Sequence, residues 1–182
     1  MTETERWRAP WIDLVLPVAA MAVVVVASNI LVGYPINDWL TWGALTYPVA
    51  FLVTDLTNRR FGPARARRVV YVGFALAVVL SIVLATPRIA LASGTAFLLA
   101  QTLDVRVFDR LRERVWWLPP LVSSFLGSAL DTVVFFSLAF AGTGLPWIGW
   151  ATGDFAVKIA VALALLPAFR LLARAPGLAA VR

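Results

Sequence analysis

The chain contains no cysteine and no histidine. Those absences exclude disulfides, thiol nucleophiles, imidazole acid–base chemistry and the usual zinc and haem ligand sets. Charge is scarce as well. Asp, Glu, Lys and Arg make up 14% of the 182 residues, where an ordinary soluble domain carries about a quarter. No glutamate falls inside an apolar run. What is abundant is apolar: 61% of the residues are hydrophobic and the mean hydropathy is +0.85. That surplus predicts a lipid-facing surface rather than a large core. The net charge of +6 sits in arginine-rich stretches. No soluble segment is long enough to present it to nucleic acid, so it reads as a topology signal.

The stretch 38–68 organises the rest. It opens on tryptophans, continues through a proline-containing apolar segment, and ends at Asp55 followed by Arg59, Arg60, Arg65, Arg67 and Arg68. An apolar span closed by dense positive charge reads as a membrane helix reaching the cytoplasmic face. A helical span needs about 20 apolar residues. Six segments qualify: 11–32, 39–56, 69–86, 89–108, 116–140 and 147–172. The runs are continuous rather than alternating, which favours helices over a β-barrel. The first run is long enough to span, whereas a signal-peptide core is about 7–15 residues. The sequence thus predicts an all-α membrane protein, a bundle of six transmembrane helices forming one domain over 1–182.

Orientation follows from the basic residues. Fourteen of the sixteen lie in the N-terminal segment, the 57–68 and 106–115 connections and the C-terminal segment; 33–38 and 141–146 hold none. Both termini are therefore expected in the cytoplasm. The eight tryptophans then group at two interfaces, Trp7, Trp11, Trp116 and Trp117 on one side and Trp39, Trp42, Trp147 and Trp150 on the other. Trp42 lies almost a turn deeper and serves either the belt or a ligand. Pro48 is expected to kink its helix. Ala92, Ser93, Ala96, Ser124, Gly127 and Ser128 permit close helix approach.

The residues that cost most to bury are Asp55, Arg88, Asp104, Asp131, Asp154 and Lys158, with polar Asn29 and Gln101. A charge at the bilayer centre costs at least about 2.5–3.5 kcal/mol, and such residues usually face a cavity. The spans sort them into an outer tier (Asn29, Arg88, Asp131, Asp154, Lys158) and an inner one (Asp55, Gln101, Asp104). Asp154 and Lys158 share a helix face at i, i+4, as a pair that either only holds the bundle or belongs to a path. Asp131 follows a polar stripe of Ser124 and Ser128 and needs a partner from another helix, Arg88 or Lys158. Gln101 and Asp104 share a face. Asp104 reads alternatively as an interfacial charge near Arg106 and Arg110, and Asp55 as a partner for Arg59. A polar path through an apolar bundle is the pattern of a small-solute transporter. No two carboxylates fall at metal-ligand spacing on one helix. No metal, cofactor or catalytic residue is assigned, and a membrane-integral enzyme using Asp131, Asp154 or Ser124 is the weaker reading.

An ordered series of motifs adds a resemblance. It runs Ser28-Asn29-x-Leu31, Thr41-Trp42-Gly43 with Pro48, Thr54-Asp55-Leu56, Phe61-Gly62, Ala66-Arg67-Arg68, and Arg88-Ile89-Ala90 with Ala92-Ser93. It continues with Gln101-x-Leu103-Asp104-Val105, Phe108, Arg110-Leu111-Arg112, Trp116-Trp117-Leu118, Asp131-Thr132, Phe135-Phe136, Ala139-Phe140 and Asp154-Phe155 with Lys158. In these motifs the chain resembles the queuosine precursor transporters, bacterial inner-membrane proteins that take up 7-cyano-7-deazaguanine. The Asn58-Arg59-Arg60 turn departs from the acidic residue that many members carry there.

The resemblance implies a multi-pass inner-membrane importer whose substrate is a flat, neutral bicycle with a guanine-like edge. A carboxylate accepting two N–H groups, beside an amide, suits such an edge. Asp131 is the expected reader, with Asn29 or Gln101 on the carbonyl and Trp42, Phe135 or Phe136 stacking. Arg88, Asp154 and Lys158, with Asp55 and Asp104, are the expected gating or ion-pair residues. The implied partners are the deazapurine and the lipid bilayer, with no direct nucleic-acid contact. A homo-oligomer stays open. So does an ATPase coupling module of the energy-coupling-factor kind, for which the first helix offers Ala19-Ala20-Met21-Ala22.

Overall fold

A computed structural model of the chain describes residues 12–31, 34–37, 40–84 and 86–174. Its elements are α1 (Ile12–Leu31), β1 (Pro35–Asn37), β2 (Leu40–Thr41), α2 (Trp42–Thr46), α3 (Val49–Phe61), α4 (Pro63–Leu84), α5 (Pro87–Leu111), α6 (Leu118–Phe140) and α7 (Trp147–Arg174). The architecture is all-α, with one exception that the sequence reading did not anticipate. β1 and β2 form a short antiparallel pair, Pro35 opposite Thr41 and Asn37 opposite Leu40.

Two other departures have clear causes. The second predicted span is broken rather than kinked: α2 ends at Thr46, and α3 begins after Tyr47 and Pro48. Pro48 has no N–H to donate. The chain restarts through tight bonds from Ala50 N to Tyr47 O at 3.0 Å and Phe51 N to Pro48 O at 3.1 Å. The arginine-rich stretch is not a loop either. Only Gly62 separates α3 from α4. Its φ of +86° suits a residue without a Cβ, its N–H caps Asn58 O, and Pro63 at the first position is preset for a helix. Arg60 and Arg65 lie over the Phe61 ring, 4.9 and 5.4 Å from its centroid.

α3 occupies the middle of the bundle, against α1, α4, α5, α6 and α7. The reason lies in its sequence. Thr54, Asp55, Thr57 and Asn58 are all 2% exposed or less, and such residues are stable only where other helices supply partners. The apolar core lies to one side, where Leu14, Met21 and Val25 of α1 meet Val69, Val70 and Ala77 of α4. The outside is apolar too, with Leu16 at 68% exposure, Val23 at 67%, Val133 at 63% and Leu171 at 73%. Among the described residues, two helices, Leu118–Phe140 and Trp147–Arg174, are long and apolar enough to cross a membrane by themselves.

α5 and α6 share the most extensive helix–helix contact, and Gly127 is where α3 meets α6. A Cβ there would sit 2.7 Å from Phe51 Cε1 and 3.4 Å from Ala100 O. Gly127→Ala should therefore overpack the bundle, at a cost of about 1–3 kcal/mol, seen as a lower unfolding midpoint in detergent. Adding Phe51→Leu should recover part of the loss. Gly73→Ala meets Met21 Cγ at the same distance, but that side chain is unbranched and adaptable, so the drop should be smaller.

Candidate functional site

The polar residues gather in two clusters. About midway along α6 and α7, Lys158, the sole lysine of the chain, reaches Asp131 Oδ2 at 2.7 Å and Asp154 Oδ2 at 2.5 Å. Thr132 Oγ1 accepts from Lys158 Nζ at 3.3 Å and donates to Asp154 Oδ2 at 2.9 Å. Tyr47 donates its hydroxyl to Asp131 Oδ1 at 3.2 Å, and the ammonium stands 5.5 Å from the centroid of the Tyr47 ring. The break at Tyr47–Pro48 turns that tyrosine inward. One cation thus joins α6 to α7, and a phenol ties both to the α2–α3 break. Lys158 and Asp131 are buried, so the low local dielectric strengthens each contact.

The second cluster lies toward the arginine-rich end. Thr54 Oγ1 donates to Gln101 Oε1 at 2.6 Å, and Asn58 Nδ2 donates to Val105 O at 2.9 Å. Ser123 Oγ donates to Asp55 Oδ1 at 3.1 Å. Asp55 and Asp104 turn their carboxyls toward each other. Neither is exposed beyond 1%. Several buried atoms find no partner of ordinary geometry, apart from a proton that Asp104 can share with Asp55: the donor Gln101 Nε2, both carboxyl oxygens of Asp104, and Ser128 Oγ. A cavity of about 20 Å³ lies beside the cluster, room for roughly one water. Asp55, Ser124, Pro48 and Leu52 line it, with Leu166 and Phe169 from α7.

The arginines are occupied elsewhere. Arg88, at the start of α5, donates to Leu138 O at 2.9 Å and Ala141 O at 2.6 Å. It thereby satisfies carbonyls at the end of α6 that have no intrahelical partner, and Lys158 fills the role beside Asp131 for which both were candidates. Arg59 donates to Arg112 O at 2.8 Å, while Arg112 donates to Asn58 O at 2.7 Å and to Arg59 O at 3.3 Å. The ends of α3 and α5 thus cap each other, which takes Arg59 away from Asp55.

The expected site residues therefore divide. Asp131, Asp154 and Lys158 come together, as do Gln101, Asp104 and Asp55. Trp42 is half exposed on the outside of the bundle, and Phe135 packs edge-on against Phe136 and Phe140. The side chain of Asn29 lies outside the described residues, as do Trp7, Trp11 and Trp39. Tyr47, Thr54, Ser123 and Thr132 were missed by sequence reasoning. Their signal was adjacency, since Tyr47 precedes the mid-span proline and Thr54 and Thr132 flank buried aspartates.

An apolar-coated helical bundle with a buried polar interior is the build of a membrane transporter. The chain matches the family model described as "Putative vitamin uptake transporter" over residues 41–86 and 81–172. It is 34% identical to the queuosine precursor transporter of Escherichia coli K12, across 89% of this chain and 85% of that protein. It is 37% identical to a probable queuosine precursor transporter of Haemophilus influenzae, across 71% of this chain and 66% of that protein. A probable queuosine precursor transporter of Bacillus subtilis is 31% identical, across 70% of this chain and 69% of its own length. No solved structure matches. The chain belongs to the queuosine precursor transporter family.

Removing the ammonium leaves the buried carboxyl of Asp131 and the partly buried one of Asp154 without a cation. Lys158→Met should destabilise the protein by about 3–5 kcal/mol, measured as a lower unfolding midpoint and lower abundance in the membrane. Lys158→Met with Asp131→Asn should be more stable than Lys158→Met alone. If the two changes simply add, the ion pair is not what joins α6 to α7.

Proposed function

We propose that this chain imports a queuosine precursor, 7-cyano-7-deazaguanine or a close deazaguanine, across the bacterial inner membrane for tRNA modification. It works as a solitary carrier, one transporter domain of six membrane passes in which the α2–α3 pair makes the second. Both termini face the cytoplasm, in keeping with the arginine-rich end of the bundle. The observation that carries the reading is the buried polar interior. Side chains that are costly in a membrane meet inside an apolar-coated bundle, and they include amide and carboxyl groups suited to a guanine-like edge. The names borne by the relatives supply the substrate class. The Lys158 cluster stands toward the outer face and the Asp55–Asp104 cluster toward the inner one, so a solute crossing the bundle meets both. The chain is read as a carrier rather than an enzyme because its relatives bear the names of transporters.

The decisive experiment uses a host that lacks both its own importer and the route to the precursor. Expressed there alone, with 7-cyano-7-deazaguanine supplied at low concentration, the chain should restore queuosine in tRNA. Restoration without any energy-coupling-factor module supports the solitary carrier; restoration only with such a module makes this chain a binding subunit. No restoration, with the protein present in the membrane, removes the deazaguanine reading. Asp131→Asn keeps Lys158 paired with Asp154 and should lose uptake at unchanged membrane abundance. Retained uptake would remove Asp131 from the path.

A further inference from the structure

The expected edge reader, Asp131, has both oxygens engaged, one by Tyr47 and one by Lys158. The unengaged groups lie in the other cluster. Gln101 and Asp104 are fully buried, and Gln101 Nε2 and both Asp104 oxygens find no partner of ordinary geometry. Leaving one buried polar group unpaired is costly, and several together in a native core call for an explanation. The two residues are three apart on α5 and lie on one face of the helix. Thr54 Oγ1 lies 2.6 Å from Gln101 Oε1 and 3.0 Å from Ala50 O; with its one hydrogen on the nearer acceptor, Nε2 is the free end of the amide. Ser123 gives its hydrogen to Asp55. Asp104 is left facing Asp55, with which it can share one proton, as two buried carboxyls turned toward each other do, and it forms no ion pair among the described residues.

The positions without a protein partner are therefore one donor, Gln101 Nε2, and, three residues on along the same helix face, the Asp104 lone pairs that a proton shared with Asp55 does not take. A guanine-like base presents the complement on one edge, a ring carbonyl next to a ring N–H and an exocyclic amine. We propose that Gln101 and Asp104 read this edge, Gln101 Nε2 donating to the carbonyl and the Asp104 carboxylate accepting the two neighbouring N–H groups. The proposal rests on the carrier reading above and assigns the residues that select its substrate. It also accounts for the missing cation. A neutral base supplies N–H donors to Asp104 without bringing a charge into the bundle. The cavity lies against Asp55 and is not lined by Gln101 or Asp104, so access needs its α7 wall, the least embedded, to move. Only Lys158 and Phe169 of that helix are buried, so it is the wall that yields to a bicycle larger than the cavity.

The test measures equilibrium binding to the purified full-length chain in detergent. The probes are 7-cyano-7-deazaguanine, its analogue without the exocyclic amine, and its analogue without the ring carbonyl. The wild type should bind the parent base about 10- to 100-fold more tightly than either analogue, because each analogue leaves a buried group unpaired. Asp104→Asn should erase the preference for the amine, and Gln101→Met the preference for the carbonyl. Each variant is near-isosteric, and if one fails to fold the other still decides. Folded variants that keep both preferences overturn the proposal. So does an Asp131→Asn protein that loses them, which would return the edge to Asp131. So does an Asp104→Asn protein that binds all three bases as the wild type does and loses only a dependence on sodium or pH, which would make Asp104 an ion site. A wild type that binds none of the bases fails differently, because it overturns the carrier reading itself.

Discussion

One ammonium group, that of Lys158, holds two carboxyls that no other cation reaches among the described residues. In an apolar surrounding this is a severe constraint. Each of the three charges is costly alone and tolerable only in company. The consequence is geometric. α6 must present Asp131 at the height where α7 presents Lys158, and the α2–α3 break must bring Tyr47 to the same place. The interruption at Pro48 and the docking of α7 are both tied to a meeting of side chains about midway along α6 and α7.

The same economy explains why α3 is central. A helix carrying Thr54, Asp55, Thr57 and Asn58 in sequence cannot face hydrocarbon, so the other helices surround it. Two of them supply part of what it needs: Gln101 and the Val105 carbonyl from α5, and Ser123 from α6. The supply is incomplete around Gln101 and Asp104, and that incompleteness distinguishes the second cluster from the first.

Much of this was legible in the sequence, because burial cost is written into residue type. Asp131, Asp154 and Lys158 stood out as charges without solvent, and the i, i+4 spacing of the last two placed them on one face. What periodicity cannot express is which partner crosses from another helix. It offered Arg88 and Lys158 equally for Asp131, and the choice turned on the unpaired carbonyls at the end of α6, which take Arg88. It also read the arginines after Asp55 as a loop, since charge density resembles a turn, whereas a single glycine suffices there. Tyr47 and Thr54 were passed over because a hydroxyl costs too little to stand out in composition. Its importance lies in the neighbour it orients.

α7 has a further consequence. Its two buried side chains, Lys158 and Phe169, are about 16 Å apart at a rise of 1.5 Å per residue. One is fastened by charge to Asp131 and Asp154, the other by an edge-to-face ring contact with Phe108 at 6.0 Å. These are its two buried bearings, of different chemistry, beside the more exposed ring contacts of Phe155 with Phe125 and Trp150 with Phe140. Loosening the ionic bearing leaves it to swing about the aromatic one, and loosening the aromatic bearing leaves it to swing about the ionic one. The two swings open opposite ends, and no single disturbance of modest size frees both.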